Sequence, residues 1–240
     1  MRKIAITAII ILLVLVAVSL IFFRRVSFSY SGVVEAVEVG VSSRLNDVII
    51  KLNVEEGSPV EAGQILAELE CKDANLQADI AVKEFKRAEE LLKTSAGSRE
   101  NYDLRKSRSD SARLAQSWCK ITSPLTGKVL YKYYQQGEFI PAGRKLVSVA
   151  DLSRVDAWVY VPHDMLAQLS LGQNITGSLP ETGQSYRGKI IAINDEAEFT
   201  PKNVQTRQER QRLVFGVKTR FENDETQTLK PGMTLEVLWK

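Results

Sequence analysis

The side chains that could do chemistry are few. The 240 residues hold two cysteines, Cys71 and Cys119, and one histidine, His163. That is short of the roughly four nitrogen or sulfur donors of a structural zinc site, and no metal site is expected. No serine–histidine–acid arrangement, glycine-rich phosphate loop or metal-ligand cluster can be read. Bond-breaking chemistry therefore has no candidate residues, and neither an enzyme nor a bound cofactor is expected. The cysteines are not a Cys-x-x-Cys redox pair. They bracket residues 72–118, and if that segment leaves and returns as a hairpin its two feet are neighbours. Cys71 and Cys119 then become a candidate disulfide, which needs Cα atoms within ~4.4–6.8 Å. An exported location permits the bond, whereas a cytosolic one would leave two buried free thiols. His163 reads as a surface residue.

The segment between the cysteines has helical periodicity. Ala74, Ala78, Ala81, Phe85, Ala88 and Leu92 step by fours and threes, a narrow seam for a helical partner. Thr94-Ser95-Ala96-Gly97-Ser98 breaks the pattern and supplies a turn with a serine cap. Leu104, Ser107, Ser111, Leu114 and Trp118 then step by threes and fours and predict the seam of a return helix. Two helices of ~20 residues make an antiparallel hairpin roughly 30–35 Å long.

What the hairpin interrupts is a repeat. Segments 43–66 and 123–146 are one motif written twice. Ser43-Arg44-Leu45-Asn46-Asp47 aligns with Ser123-Pro124-Leu125-Thr126-Gly127, Gly57 with Gly137, Ala62-Gly63 with Ala142-Gly143, and Leu66 with Leu146. The glycines mark turns, where a positive φ meets no Cβ clash. Short apolar runs of strand type lie between them, including Val48-Ile49-Ile50 and Lys128-Val129-Leu130. Two hairpin units with one turn grammar predict the two halves of a flattened sandwich.

This pattern resembles a lipoyl (biotinyl-type) domain split in two. With a helical hairpin inserted, it resembles the periplasmic adaptor, or membrane fusion protein, family of the hemolysin-secretion D type. A lipoyl or biotin carrier is the rival reading, since Glu70-Cys71-Lys72-Asp73-Ala74 is similar to the carrier's Asp-Lys-Ala turn. In a carrier the second half follows within a few residues; here it follows about 50 residues later, so Lys72 opens a helix instead of tipping a turn. Adaptors that dock on a TolC-like outer-membrane channel carry Arg-x-x-x-Leu-x-x-x-x-x-x-Ser across the hairpin tip, and Arg87, Leu91 and Ser98 match that spacing. The resemblance implies that these three dock the channel. Arginine suits carbonyls or carboxylates, leucine an apolar notch and serine a backbone group. The structural alternative is that Leu91 packs in the seam, Arg87 is solvated and Ser98 is only a helix cap.

Around this centre the chain divides into five parts. Residues 1–29 are expected to hold a cytoplasmic N-terminus, a membrane anchor and a linker; residues 4–23 lack any charge, Pro or Gly and at ~1.5 Å per residue reach across a bilayer core of roughly 30 Å, the alternative being a cleavable signal peptide with a small-residue site at Ala17-Val18-Ser19. Residues 30–71 and 119–150 are the halves of the lipoyl-like domain, and 72–118 the coiled-coil hairpin. Residues 151–240 read as a small β-barrel of about six strands, with Val155 to Val161 alternating around Trp158 and Tyr160, a short helix after Pro162, and Gly172, Gly183 and Gly188 punctuating further strands. The fold class is mainly β with an α-helical hairpin. A net charge of +3 gives no nucleic-acid signal.

Two stretches extend the resemblance. Leu229-Lys230-Pro231-Gly232-Met233 is similar to the turn before the last barrel strand. Phe199-Thr200-Pro201-Lys202-Asn203-Val204-Gln205-Thr206, with Glu209-Arg210, resembles the subgroup serving ABC-type exporters. The membrane-proximal domain of many adaptors is expected to be missing or reduced to residues 26–40. The resemblance implies an inner-membrane protein with one span and a periplasmic body. It would be a homo-hexameric ring that bridges an ABC-type exporter to the outer-membrane channel. An anchored scaffold without a channel partner is a third reading.

Overall fold

The computed structural model describes residues 29–199, 213–224 and 226–239. The expected anchor over residues 4–23 and the stretch from Thr200 to Arg210 lie outside the described residues. Among the described residues, no helix is long and apolar enough to cross a membrane.

The described chain divides into two units. The first is a closed barrel of six strands, β1 (Ser29–Glu35), β10 (Arg154–Pro162), β11 (Asn174–Ser178), β12 (Ser185–Phe199), β13 (Leu213–Glu222) and β14 (Thr234–Leu238), in the order β1-β10-β13-β12-β11-β14. Its core gathers the inward residues of alternating strands, among them Val159, Val217, Phe221 and Leu235. The sequence reading placed residues from 30 onward in the sandwich, but β1 closes the barrel. It pairs Gly32 with Val159 of β10 and Tyr30 with Val237 of β14. Strand periodicity fixes which residues point inward but not which sheet a strand joins, and without β1 both β10 and β14 would be open edges. Gly188 lies inside β12 and does not end a strand.

The second unit spans 36–154 and holds the sandwich and the hairpin. Its strands are β2 (Glu38–Ser42), β3 (Asp47–Leu52), β4 (Pro59–Val60), β5 (Ile65–Leu69), β6 (Lys120–Thr122), β7 (Gly127–Lys132), β8 (Phe139–Ile140) and β9 (Lys145–Ala150). They form two four-stranded sheets, β2-β9-β7-β4 and β6-β5-β3-β8. The repeat is visible bond by bond. Gly57 donates to the carbonyl of Val129 at 2.8 Å and Gly137 to that of Ile49 at 2.7 Å; Gly63 donates to Ser123 and Gly143 to Ser43, both at 2.8 Å. Each copy's short strand pairs with the other copy, β4 with β7 and β8 with β3. The halves therefore clasp each other, and neither buries its apolar face alone. Ile49, Leu66, Val129 and Leu146 are the fully buried result.

Between the halves run α1 (Lys72–Lys93) and α2 (Arg99–Ser117). The α1 seam is as the periodicity predicts, with Ala78 and Ala88 buried. The α2 seam is not. Leu104 and Leu114 are 47% and 55% exposed, Ser107 and Ser111 face solvent, and the inward positions are Tyr102, Arg105, Ser109 and Ala112. Opposite the alanine-rich face of α1 the seam takes the small Ser109 and Ala112, and also Tyr102 and Arg105, which engage Phe85 and Glu84, so the leucine row is left outside. The rotation of α2 is fixed by Arg105 on Glu84 at 2.6 Å, Gln116 on Asn75 at 3.0 Å, and the Phe85 and Tyr102 rings 5.4 Å apart.

Candidate functional site

The hairpin has two chemically distinct ends. At the foot, a disulfide joins Cys71 and Cys119, with Cα atoms 5.9 Å apart. The bond sits where β5 hands the chain to α1 and α2 hands it back to β6; the Leu69 N–H donates to the Cys119 carbonyl at 2.9 Å. Cys71 adopts a left-handed φ of 53°, a region that costs a non-glycine residue roughly 1–2 kcal/mol. Asp47 compensates in part, its carboxylate accepting the Cys71 N–H at 2.8 Å and the Val48 N–H at 2.7 Å. Lys72 lies in the first turn of α1, exposed, ion-paired to Glu70, and held above its usual pKa by that hydrogen bond. It is on a helix, far along the chain from any tight turn between the sandwich halves.

At the tip, Arg87 and Leu91 stand one turn apart on α1, and Ser98 opens α2. Leu91 is 46% exposed, and Arg87 and Ser98 are exposed. The loop folds back on Leu91, whose carbonyl accepts the N–H groups of Ala96 at 2.9 Å and Gly97 at 3.0 Å. A Cβ on Gly97 would lie 3.0 Å from Leu91 Cβ, so glycine lets the loop close over that side chain. Sequence reasoning singled out Leu91 but missed Gly97; a glycine in a predicted turn was the only signal. Ser98 Oγ caps α2 by accepting the Asn101 N–H at 3.2 Å, which leaves its own proton free to donate.

The charges beside the tip pair locally, Lys93 with Glu89 and Arg99 with Asp103, both at 3.6 Å, and Arg99 also lies over the Tyr102 ring. Arg87 has no ion pair among the described residues. The tip thus presents a free guanidinium, a half-exposed leucine and a hydroxyl on a backbone held by capping bonds. Among the described residues no three His, Cys, Asp or Glu side chains gather as a metal site.

Comparison with known proteins agrees with this architecture. Residues 37–152 match the model of the barrel-sandwich hybrid domain of RND membrane fusion proteins. The multidrug resistance protein MdtA of Proteus mirabilis is 27% identical over 195 residues, covering 66% of this chain and 46% of its own length. The chain spans about half the length of the curated relatives it matches. A MacA-MexA chimeric protein carrying the Pseudomonas aeruginosa MexA α-hairpin domain superposes with a TM-score of 0.71 at 22% identity, over 88% of this chain and 80% of that one. The membrane fusion protein Spr0693 of Streptococcus pneumoniae R6 gives 0.65 at 20% identity, over 89% and 99%. At these identities the two structures establish the fold.

Proposed function

We propose that the chain is the periplasmic adaptor of a tripartite export system, a reading supported by the match of residues 37–152 to the barrel-sandwich hybrid domain of RND membrane fusion proteins. In this reading it is anchored in the inner membrane by one N-terminal span, with its N-terminus cytoplasmic and its body in the periplasm. It assembles as a homo-hexameric ring and joins an inner-membrane exporter to a TolC-like outer-membrane channel. Its work is mechanical, with no bound cofactor. The observation that carries the reading is the exposed, capped tip of a hairpin inserted between two interlocked half-domains, with Arg87, Leu91 and Ser98 displayed on it. The disulfide at the foot supports an oxidising compartment.

The exporter has two candidate classes. The stretch from Phe199 to Arg210 resembles the subgroup serving ABC-type exporters, and on that ground we assign the pump to that class. The RND type of the matched domain favours the second class. The test is export by cells carrying Arg87→Ala or Ser98→Asp. The second change keeps an oxygen to cap α2 but removes the hydroxyl proton. Loss of export with unchanged helicity supports tip docking, and unchanged export overturns it. Crosslinked envelopes probed for co-purifying proteins identify the pump class.

A further inference from the structure

The bond at the foot of the hairpin is enclosed. Cys71 is 1% exposed and Cys119 8%, and both belong to the sandwich core with Ile49, Leu69 and Ile121. Backbone closes around them. The Leu69 N–H donates to the Cys119 carbonyl, the Glu70 N–H to the Val48 carbonyl at 3.0 Å, and the Cys71 N–H to Asp47. β6, which begins one residue after Cys119, pairs with β5. Ala74 packs against the same core, and the Arg44 guanidinium lies over the Trp118 ring, 5.8 Å from its centroid. Thiol–disulfide exchange needs a thiolate and a free approach to a sulfur. Apolar burial denies both, because it disfavours the thiolate and blocks the approach.

Chain order supplies an earlier window. Pairing of α1 with α2, through Glu84–Arg105 and Asn75–Gln116, is enough to bring the two cysteines together. The cover over them needs Asp47, β5 and β6, which come from both halves of the sandwich. We infer that a thiol–disulfide oxidase makes the Cys71–Cys119 bond while the foot is open, and that the closing sandwich then seals it against reductants. One cysteine thiolate attacks the oxidase's disulfide, forming a mixed disulfide and releasing one oxidase thiol; the second cysteine thiolate attacks the first cysteine's sulfur and releases the other. Cys71 and Cys119 lose two electrons, which the oxidase disulfide gains, and their two protons end on the oxidase's thiols. Fixing the foot fixes the direction of the hairpin: over a length of ~30 Å, a swing of ~10° at the foot displaces the tip by ~5 Å. The inference requires an oxidising compartment and holds whether or not the tip docks on a channel.

The test uses the full chain in mild detergent, with free thiols counted by mass after maleimide labelling. Tris(2-carboxyethyl)phosphine reduces the native protein at least ~100-fold more slowly than the urea-unfolded chain. Asp47→Ala, which loosens the foot, speeds native reduction ~10-fold or more, and Asp156→Asn, which loosens the barrel, leaves it unchanged. A Cys-x-x-Cys oxidase added to the reduced chain at the start of refolding forms the bond; added after refolding, it does so ~100-fold more slowly. Three results overturn the inference: native reduction as fast as that of the unfolded chain, an effect of Asp47→Ala no larger than that of Asp156→Asn, or equal oxidation before and after refolding.

Discussion

Asp47 and Gly127 occupy the same place in the two copies of the repeat and do opposite things. Asp47 uses both carboxylate oxygens on backbone N–H groups, one of them from Cys71 at the foot of α1. Removing it leaves the buried Cys71 N–H without its acceptor, which costs ~1–3 kcal/mol. Asp47→Ala should therefore lower the denaturant midpoint, and Asp47→Asn, which keeps one acceptor, should lower it less. Gly127 lies where any Cβ would sit 2.2 Å from the Ala150 carbonyl oxygen. Backbone on both sides cannot yield cheaply, so Gly127→Ala should destabilise the sandwich by about 1–3 kcal/mol or more, read by the same measurement. The repeat diverges at the position where one copy must launch a hairpin and the other must pack tightly.

At the scale of the element, the hairpin is built from small side chains. Ser109 is 1% exposed in the seam, and its Oγ has no hydrogen-bond partner. Ser109→Ala removes an unsatisfied buried hydroxyl and raises helix propensity. It should stabilise the unit by ~1 kcal/mol, seen as a higher thermal midpoint. A lower midpoint would show that the hydroxyl is satisfied in solution. The α1 seam was legible because alanines at helical spacing among charged residues admit one inward face. The α2 seam was misread because its most apolar row faces out. Apolarity alone does not distinguish a face buried within the chain from one available to another, and only the close approach of two helices decides.

For the molecule as a whole, the barrel holds a charged cluster that ties its stability to pH. Asp156 is almost wholly buried, its side chain 3% exposed, and receives two hydrogen bonds from Arg220 at 2.7 and 3.0 Å and an ion pair from Lys218 at 3.2 Å. Burial pushes its pKa up, but the hydrogen bonds from Arg220 and Lys218 together outweigh it and leave it below the ordinary carboxylate value. A group whose pKa falls on folding stabilises the protein above its unfolded pKa, about 3.9 for Asp, and loses that contribution as pH falls through the folded value. The thermal midpoint of the wild type should therefore fall from about pH 4 downward. Asp156→Asn should be less stable at neutral pH and show a flatter acid dependence. Equal acid slopes for the two proteins would place the titrating group elsewhere.

The sequence by itself determined what local chemistry and repetition can encode. The matched turns at Gly57 and Gly137 require positive φ, and the structure gives 83° and 91°. The 72–118 insertion carries a helical period, and the resemblance it completed led to the barrel-sandwich domain matched over residues 37–152. Tertiary structure alone decided what depends on partners distant in the chain. It took β1 from the sandwich into the barrel, where two open edges accept it. It turned Leu104 and Leu114 outward. It also set Asp47 under Cys71, 24 positions away. Periodicity records which side of an element is apolar, but the partner that covers that side is fixed only when the whole chain competes for it.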